Sequence, residues 1–237
     1  MKKHGLAMAL AAGLFATTAS AQVLQMAVDG SPAGLDPHLV TAFNSIQIVS
    51  GTIYEGLTAI DANLRTVPAL AKSWDISPDG KTYTFRLVEG ATFHNGAKLE
   101  AADVVASLGR VMSKDIASPL ASRLASVDKA EAKDAGTVVL SLKEPSAPLL
   151  TALASIAIVP RTFESNKDGL QRAPVGSGPF KFKEWQPNGF IELEKHAGYH
   201  DKAKPKLAGL KYNIVPESAT RQVGVTSGQY AMLPDRK

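Results

Sequence analysis

Hydrophobic and polar positions recur with a definite period along most of this chain. Residues 82–87 read Thr-Tyr-Thr-Phe-Arg-Leu, which puts Tyr83, Phe85 and Leu87 on one face of a strand. Ser77-Pro78-Asp79-Gly80 precedes it and supplies turn chemistry, with Pro at the second position and Asp-Gly after it. A second hairpin is predicted from 127–133 and 137–142, joined at Asp134-Ala135-Gly136. A third is predicted from 180–185 and 190–193, joined at Gln186-Pro187-Asn188-Gly189. In that third unit Phe180, Phe182 and Trp185 lie on one strand. Weaker strands are predicted at 23–28, 57–60 and 211–215.

Helical spacing appears between these units. Val104, Val105, Leu108, Val111 and Met112 recur as one face of a helix over 99–112. Residues 44–54 form a second helix running toward Gly56, which suits a C-cap. An apolar helix is expected over 148–157. Ser218 is placed to cap a last helix beginning near Ala219. Strands and helices interleave, so the class is mixed α/β. No long linker, low-complexity tract or internal repeat interrupts it.

The N-terminus has a different pattern. Met1-Lys2-Lys3-His4 is basic, residues 5–16 are uncharged and apolar, and Ala19 and Ala21 occupy the small positions before a cut. This three-part pattern predicts a signal peptide over residues 1–21, cleaved after Ala21, so that Gln22 begins the mature protein. The apolar run is too short to span a bilayer, which needs about 20 residues. No Cys follows it to accept lipid.

Composition narrows the chemistry. There is no cysteine, which removes disulfides and thiolate metal sites. The formal charge is +4, two of those charges are Lys2 and Lys3, and no Lys/Arg run exceeds two residues. A nucleic-acid surface is therefore not expected.

Catalytic signals fare poorly. His196 and His200 have the i, i+4 spacing of a metal pair, but Gly198 lies between them in a segment between strands, so a solvated loop is expected. Gly176-Ser177-Gly178 has glycines at the wrong offsets for a nucleophile elbow and predicts a tight backbone passage instead. His94-Asn95-Gly96 predicts a surface turn. No phosphate loop, metal site or cofactor site is expected.

A series of short strings in fixed order carries a family resemblance. These are Leu35-Asp36-Pro37-His38; Ile53-Tyr54-Glu55-Gly56-Leu57; residues 68–74 followed by residues 77–85; Phe93-His94-Asn95-Gly96 with Ala102-Asp103-Val104; Val175-Gly176-Ser177-Gly178-Pro179-Phe180; Pro205-Lys206-Leu207; and Arg221 with Ser227-Gly228. In that order they resemble family 5 of the bacterial extracellular solute-binding proteins, the dipeptide, oligopeptide and nickel-binding group. Two positions depart from the pattern. Glu100 stands where Thr is usual before the helix, and Ala231 where an acidic residue is usual.

The resemblance implies an α/β (mixed α+β) periplasmic-binding-protein-like lobe, with a mixed sheet, antiparallel β hairpins and packed helices. It implies that residues 22–237 are the first lobe, incomplete, with the second lobe absent. The implied function is the periplasmic substrate-binding component of an ABC importer, a monomer serving an inner-membrane permease and carrying a peptide or other small solute. Relatives carry the Asp and Arg that pair with a peptide's ends in their second half, so weak or no binding is expected here. The resemblance points to Gly30, Ser31 and Pro32 after the first strand as ligand contacts, and to Phe43, Asn44 and Ser45 at the start of the next helix. Residues 118–123 match a segment that bears aromatic contacts in oligopeptide binders, but no aromatic stands there. The alternatives are a secreted enzyme or a periplasmic partner protein on a similar scaffold.

Overall fold

The computed structural model describes residues 22–231. The expected signal peptide and its cleavage position lie outside the described residues.

In chain order the regular elements are β1 (Val23–Val28), α1 (Phe43–Val49), β2 (Thr58–Ile60), β3 (Thr66–Pro68), β4 (Ala71–Ile76), β5 (Thr82–Leu87) and α2 (Ala101–Met112). They continue with β6 (Val127–Asp134), β7 (Thr137–Leu142), α3 (Leu149–Leu153), α4 (Gly169–Arg172), β8 (Phe180–Gln186), β9 (Phe190–Lys195), β10 (Gly209–Ile214) and α5 (Ser218–Thr226). The strands form two four-stranded sheets and a small β2–β3 hairpin. One sheet, ordered β4-β5-β7-β6, is antiparallel throughout. The other, ordered β1-β10-β9-β8, is mixed, with β1 parallel to β10 and the remaining pairs antiparallel.

Each sheet has its own core. Tyr83, Phe85 and Leu87 bury one face of the antiparallel sheet, and Val104, Leu108 and Val111 of α2 pack into the same cluster. Such a fully buried side chain contributes roughly 1.5–3 kcal/mol by leaving water. Leu35, Ile48, Ile53, Ile191, Leu193 and Tyr212 fill the second core around the mixed sheet. Val175 packs against both clusters, just before the Gly176-Ser177-Gly178 passage.

Local chemistry explains the element ends. At the β4–β5 turn Gly80 adopts φ 69°, and its N–H donates to Ser77 O at 2.8 Å. Asp103, third in α2, accepts the Glu100 N–H at 2.9 Å, so the first turn is capped from inside the helix and Glu100 is tolerated where Thr is usual. In β8 a register shift between Phe182 and Glu184 lets Trp185 join Phe180 and Phe182 against the second core, despite its odd offset.

Several boundaries differ from the periodicity. Helix α1 ends at Val49, and the left-handed glycine that follows is Gly51 at φ 71°, not Gly56. Gly56 instead passes so close to α3 that a Cβ there would lie 2.4 Å from Leu153 O. Helix α3 stops at Leu153, because the chain then straightens and Ile158 N–H donates to Glu55 O at 2.8 Å. Glu217, not Ser218, caps α5, accepting from Ala219 N–H at 3.4 Å. Strand β3 was not expected. It pairs with β2 through only three residues, too few to leave a period.

Candidate functional site

The parallel strands β1 and β10 end side by side, with Val28 opposite Ile214. In open α/β sheets the crevice beyond such carboxyl ends is the usual ligand position. Residues 29–32 leave β1 at that edge, and Asn44 ties them to the first turn of α1. Its Nδ2 donates to Asp29 Oδ1 at 2.8 Å and approaches Gly30 O at 3.2 Å. The structure thus brings two of the expected contacts, Gly30 and Asn44, together. Ser31 is half-buried, Pro32 buried and Phe43 exposed. Ser45 points inward, and its Oγ is buried with no protein partner. The N–H groups of Ser31 and Ala33 donate to no acceptor among the described residues. Main-chain groups left open in this way suit an extended ligand.

Further along the connection from β1 to α1 lies a charged network that sequence reasoning missed. Asp36 and Arg110 are both fully buried. Arg110 Nη1 donates to Asp36 Oδ1 at 3.1 Å and Nη2 to Asp36 Oδ2 at 2.6 Å, a bidentate fork. The rest of the guanidinium is also paired. Nε donates to Phe163 O and Nη2 to Asn166 O, both at 2.9 Å.

His38 completes the network. Its Nε2 lies 2.8 Å from Ala157 O, which only accepts, so the ring proton sits on Nε2. Nδ1 is then free to accept from Arg110 Nη1 at 2.9 Å. This neutral tautomer agrees with the ring's acidity. Burial, with the Arg110 charge adding to it, lowers the His38 pKa from 6.5 to about 4. The Tyr54 hydroxyl is buried nearby. Burial first, and then the Asp36 charge, raises its pKa well above 10.

A signal for Arg110 was present in the chain. Asp103, Ser107 and Arg110 recur at i, i+4 and i+7 on the face of α2 beside its apolar stripe, and all three are buried. Asp103 Oδ1 accepts Arg161 N–H at 3.0 Å, and Ser107 Oγ accepts Val159 N–H at 2.9 Å. One polar helix face therefore fixes the whole 157–166 segment, which in turn holds His38 and Arg110.

The residues with catalytic overtones serve as a clamp. Gly176 and Gly178 pass against α1's continuation, where a Cβ at Gly176 would lie 2.0 Å from Ile53 O and one at Gly178 2.2 Å from Thr52 O. This is the tight passage the sequence predicts. His94 and His196 meet edge to face, with ring centroids 4.8 Å apart, over the same carbonyl. His94 Nε2 lies 3.0 Å from Gly178 O, and His196 Nδ1 lies 3.1 Å from it. His94 Nδ1 accepts Gly176 N–H at 3.3 Å. Burial lowers the His94 pKa to about 4 and also lowers that of His196. Residues 94–96 do form the expected turn, and His196 and His200 do lie between strands. The rings of His94 and His196 nevertheless turn onto Gly178 O, and that of His200 toward Glu55, rather than into solvent. Ser177 is buried and donates to Glu55 Oε2 at 3.2 Å, with no imidazole in the role of base.

Substituting Gly178 by Ala is expected to lower stability by about 2–3 kcal/mol, since the new methyl meets backbone rather than a flexible side chain. Thermal melting followed by circular dichroism should show Tm lower by roughly 5–10 °C. An unchanged Tm would mean the two segments are not in such close contact.

Among the described residues no three His, Cys, Asp or Glu side chains gather as a metal site, and no helix is long and apolar enough to cross a membrane. The profile of bacterial extracellular solute-binding proteins, family 5 (middle), matches residues 65–236. The chain belongs to this family. A curated family relative, the glutathione-binding protein GsiB of Pectobacterium atrosepticum, is 33% identical over 208 residues, covering 86% of this chain and 40% of GsiB. AgaA of A. tumefaciens R10, solved with agropinic acid, superposes with TM-score 0.82 at 34% identity, over 88% of this chain and 43% of AgaA. The periplasmic binding protein DppA of Helicobacter pylori, solved with the peptide STSA, gives TM-score 0.78 at 33% identity, over 88% of this chain and 45% of DppA. The chain therefore spans less than half the length of these relatives. They are named as binding proteins, so the secreted-enzyme alternative gives way to family membership.

The family's strings now have physical content. Leu35-Asp36-Pro37-His38 supplies the acid and imidazole of the buried network, and residues 175–180 supply the glycine passage that His94 and His196 clamp.

Proposed function

We propose that this chain is the first lobe of a periplasmic solute-binding protein that serves an ABC importer and takes a peptide as solute. In this reading export follows cleavage after Ala21. The single observation that carries the site is the Asn44 latch, which ties Asp29 and Gly30 to the start of α1 at the carboxyl ends of β1 and β10. An extended peptide would pair its main chain with the Ser31 and Ala33 N–H groups. Names among the relatives support this solute class, since GsiB is called glutathione-binding and DppA was solved with a peptide.

The described residues, 22–231, offer one wall of such a site. A single wall leaves much of a ligand in water, so its affinity is low. Calorimetric and NMR titration of the chain from Gln22 with mixed dipeptides and with glutathione is expected to show millimolar binding. The shifted amides should lie at residues 29–45, and Asn44→Ala should abolish those shifts. Micromolar affinity would reject the one-wall account. Shifts elsewhere, or indifference to Asn44→Ala, would reject the location.

A further inference from the structure

A separate cleft of ≈600 Å³ opens at the other end of α1 from Asn44, beside Ser50 and Gly51. None of Gly30, Ser31, Pro32, Phe43, Asn44 and Ser45 lines it. One wall is apolar and comes largely from the β2–β3 hairpin, with Ala59, Ile60 and Val67. Elsewhere the wall carries Glu55, Tyr199 and His200. The volume lies within the range of small-molecule sites, and a few converging polar groups on an apolar surround are their common composition.

The carboxylate on that wall is unusual in its partners. The Glu55 side chain is 9% exposed, yet every group bonded to it is neutral or only conditionally charged. Tyr199 Oη donates to Glu55 Oε1 at 2.7 Å, Ser177 Oγ donates to Oε2 at 3.2 Å, and His200 Nε2 stands 3.3 Å from Oε1. No lysine or arginine among the described residues pairs with it. Lys204, on the rim of the cleft, is engaged with Asp201 at 3.2 Å. A carboxylate this buried ordinarily has a cation beside it, because neutral donors offset only part of its lost hydration. Tyr199 and Ser177 hold Glu55 in place without neutralising it, and His200 neutralises it only when protonated. Burial and the Glu55 charge push the Tyr199 phenol well above its ordinary pKa, so it remains a fixed donor. An ammonium is donor-only and Glu55 acceptor-only, so the two are complementary.

We propose that this cleft is a second small-molecule site, distinct from the loop at Gly30, for a primary amine carried on a short apolar body, with Glu55 receiving the ammonium. The apolar body lies along the β2–β3 wall. Neutral and anionic molecules of the same shape are disfavoured because they bring no cation to the Glu55 carboxylate.

The test uses benzylamine as probe and benzyl alcohol as its uncharged match, each titrated into the chain from Gln22 by amide-resolved NMR. Benzylamine is expected to shift amides at 55–60 and 199–201, with affinity at least ten-fold above benzyl alcohol. Glu55→Gln keeps an acceptor for Tyr199 and should remove that ten-fold preference. Should Glu55→Gln unfold, Ala59→Trp decides, since it fills the cleft from the half-exposed hairpin wall and should abolish the shifts without touching the carboxylate. Equal binding of the two probes, shifts confined to 29–45, no shifts at millimolar probe, or full amine binding by Ala59→Trp would each overturn the proposal. Failure of peptide binding at Gly30 would leave these outcomes unaffected.

Discussion

Replacing Asp36 by Ala is expected to destabilise the protein by about 3–5 kcal/mol, the usual consequence of stranding one member of a buried ion pair. Arg110 is fully buried, and Asp36 is its only acidic partner among the described residues. With the acid gone, the guanidinium still donates to Phe163 O and Asn166 O, but its charge has no counterion and no water. A loss of this size is a large fraction of the roughly 5–15 kcal/mol that typically separates folded from unfolded states. Urea unfolding should show a much lower midpoint with an unchanged slope. The double substitution Asp36→Leu with Arg110→Met should recover most of the loss, because removing both charges also removes the desolvation cost that their pairing offsets. Hydrogen exchange should fail first near Leu35, whose N–H donates to Gln171 O at 3.1 Å beside the missing acid. A single variant within about 1 kcal/mol of wild type would contradict the buried pair.

Stability is expected to fall steeply between pH 6.5 and pH 4, before most carboxylates protonate. His38 and His94 are each held neutral in the folded chain, with pKa lowered from 6.5 to about 4. In the unfolded chain both accept protons below 6.5, so the unfolded state binds more protons throughout that window and is favoured as pH falls. Their contribution is fully present above pH 6.5 and is lost progressively down to pH 4. For each ring the loss is on the order of 3 kcal/mol. His196, lowered in the same direction, adds to the slope. The carboxylates of Asp61, Asp79, Asp134 and Asp201 are lowered by hydrogen bonds, so their share is lost only at lower pH. Unfolding free energies measured in urea across this range should rise with pH at a slope approaching two protons. His94→Gln should remove about one proton from that slope. A flat profile between pH 6.5 and 4.5 would show that the rings are not held neutral.

The acid response and the ion pair differ in how visible they were along the chain. Every string involved had been noticed: Leu35-Asp36-Pro37-His38, His94-Asn95-Gly96 and Gly176-Ser177-Gly178. What they bond to had not. Arg110 lies 74 residues from Asp36, and His94 lies 84 from Gly178. Neither contact has a local signature, since a salt bridge depends on where side chains arrive and not on a repeat. His196 and His200 illustrate the same point. Their place between strands was legible, but their inward orientation depends on acceptors supplied by Gly178 and Glu55.

Most of the strands, though not β3, and the long helix were legible along the chain. Alternation at 82–87 and 137–142, and the apolar recurrence of α2, are short-range consequences of side-chain direction in strands and helices. Turn residues such as Asp79-Gly80 carry their geometry with them. Tertiary structure alone decided that β1 pairs in parallel with β10, that Asn44 latches the loop after β1, and that Asp36, His38 and Arg110 share one dry site. Each joins residues distant in sequence, where the free energy comes from desolvation and pairing after the chain has collapsed. Periodicity records which face a residue occupies, and only folding determines what that face meets.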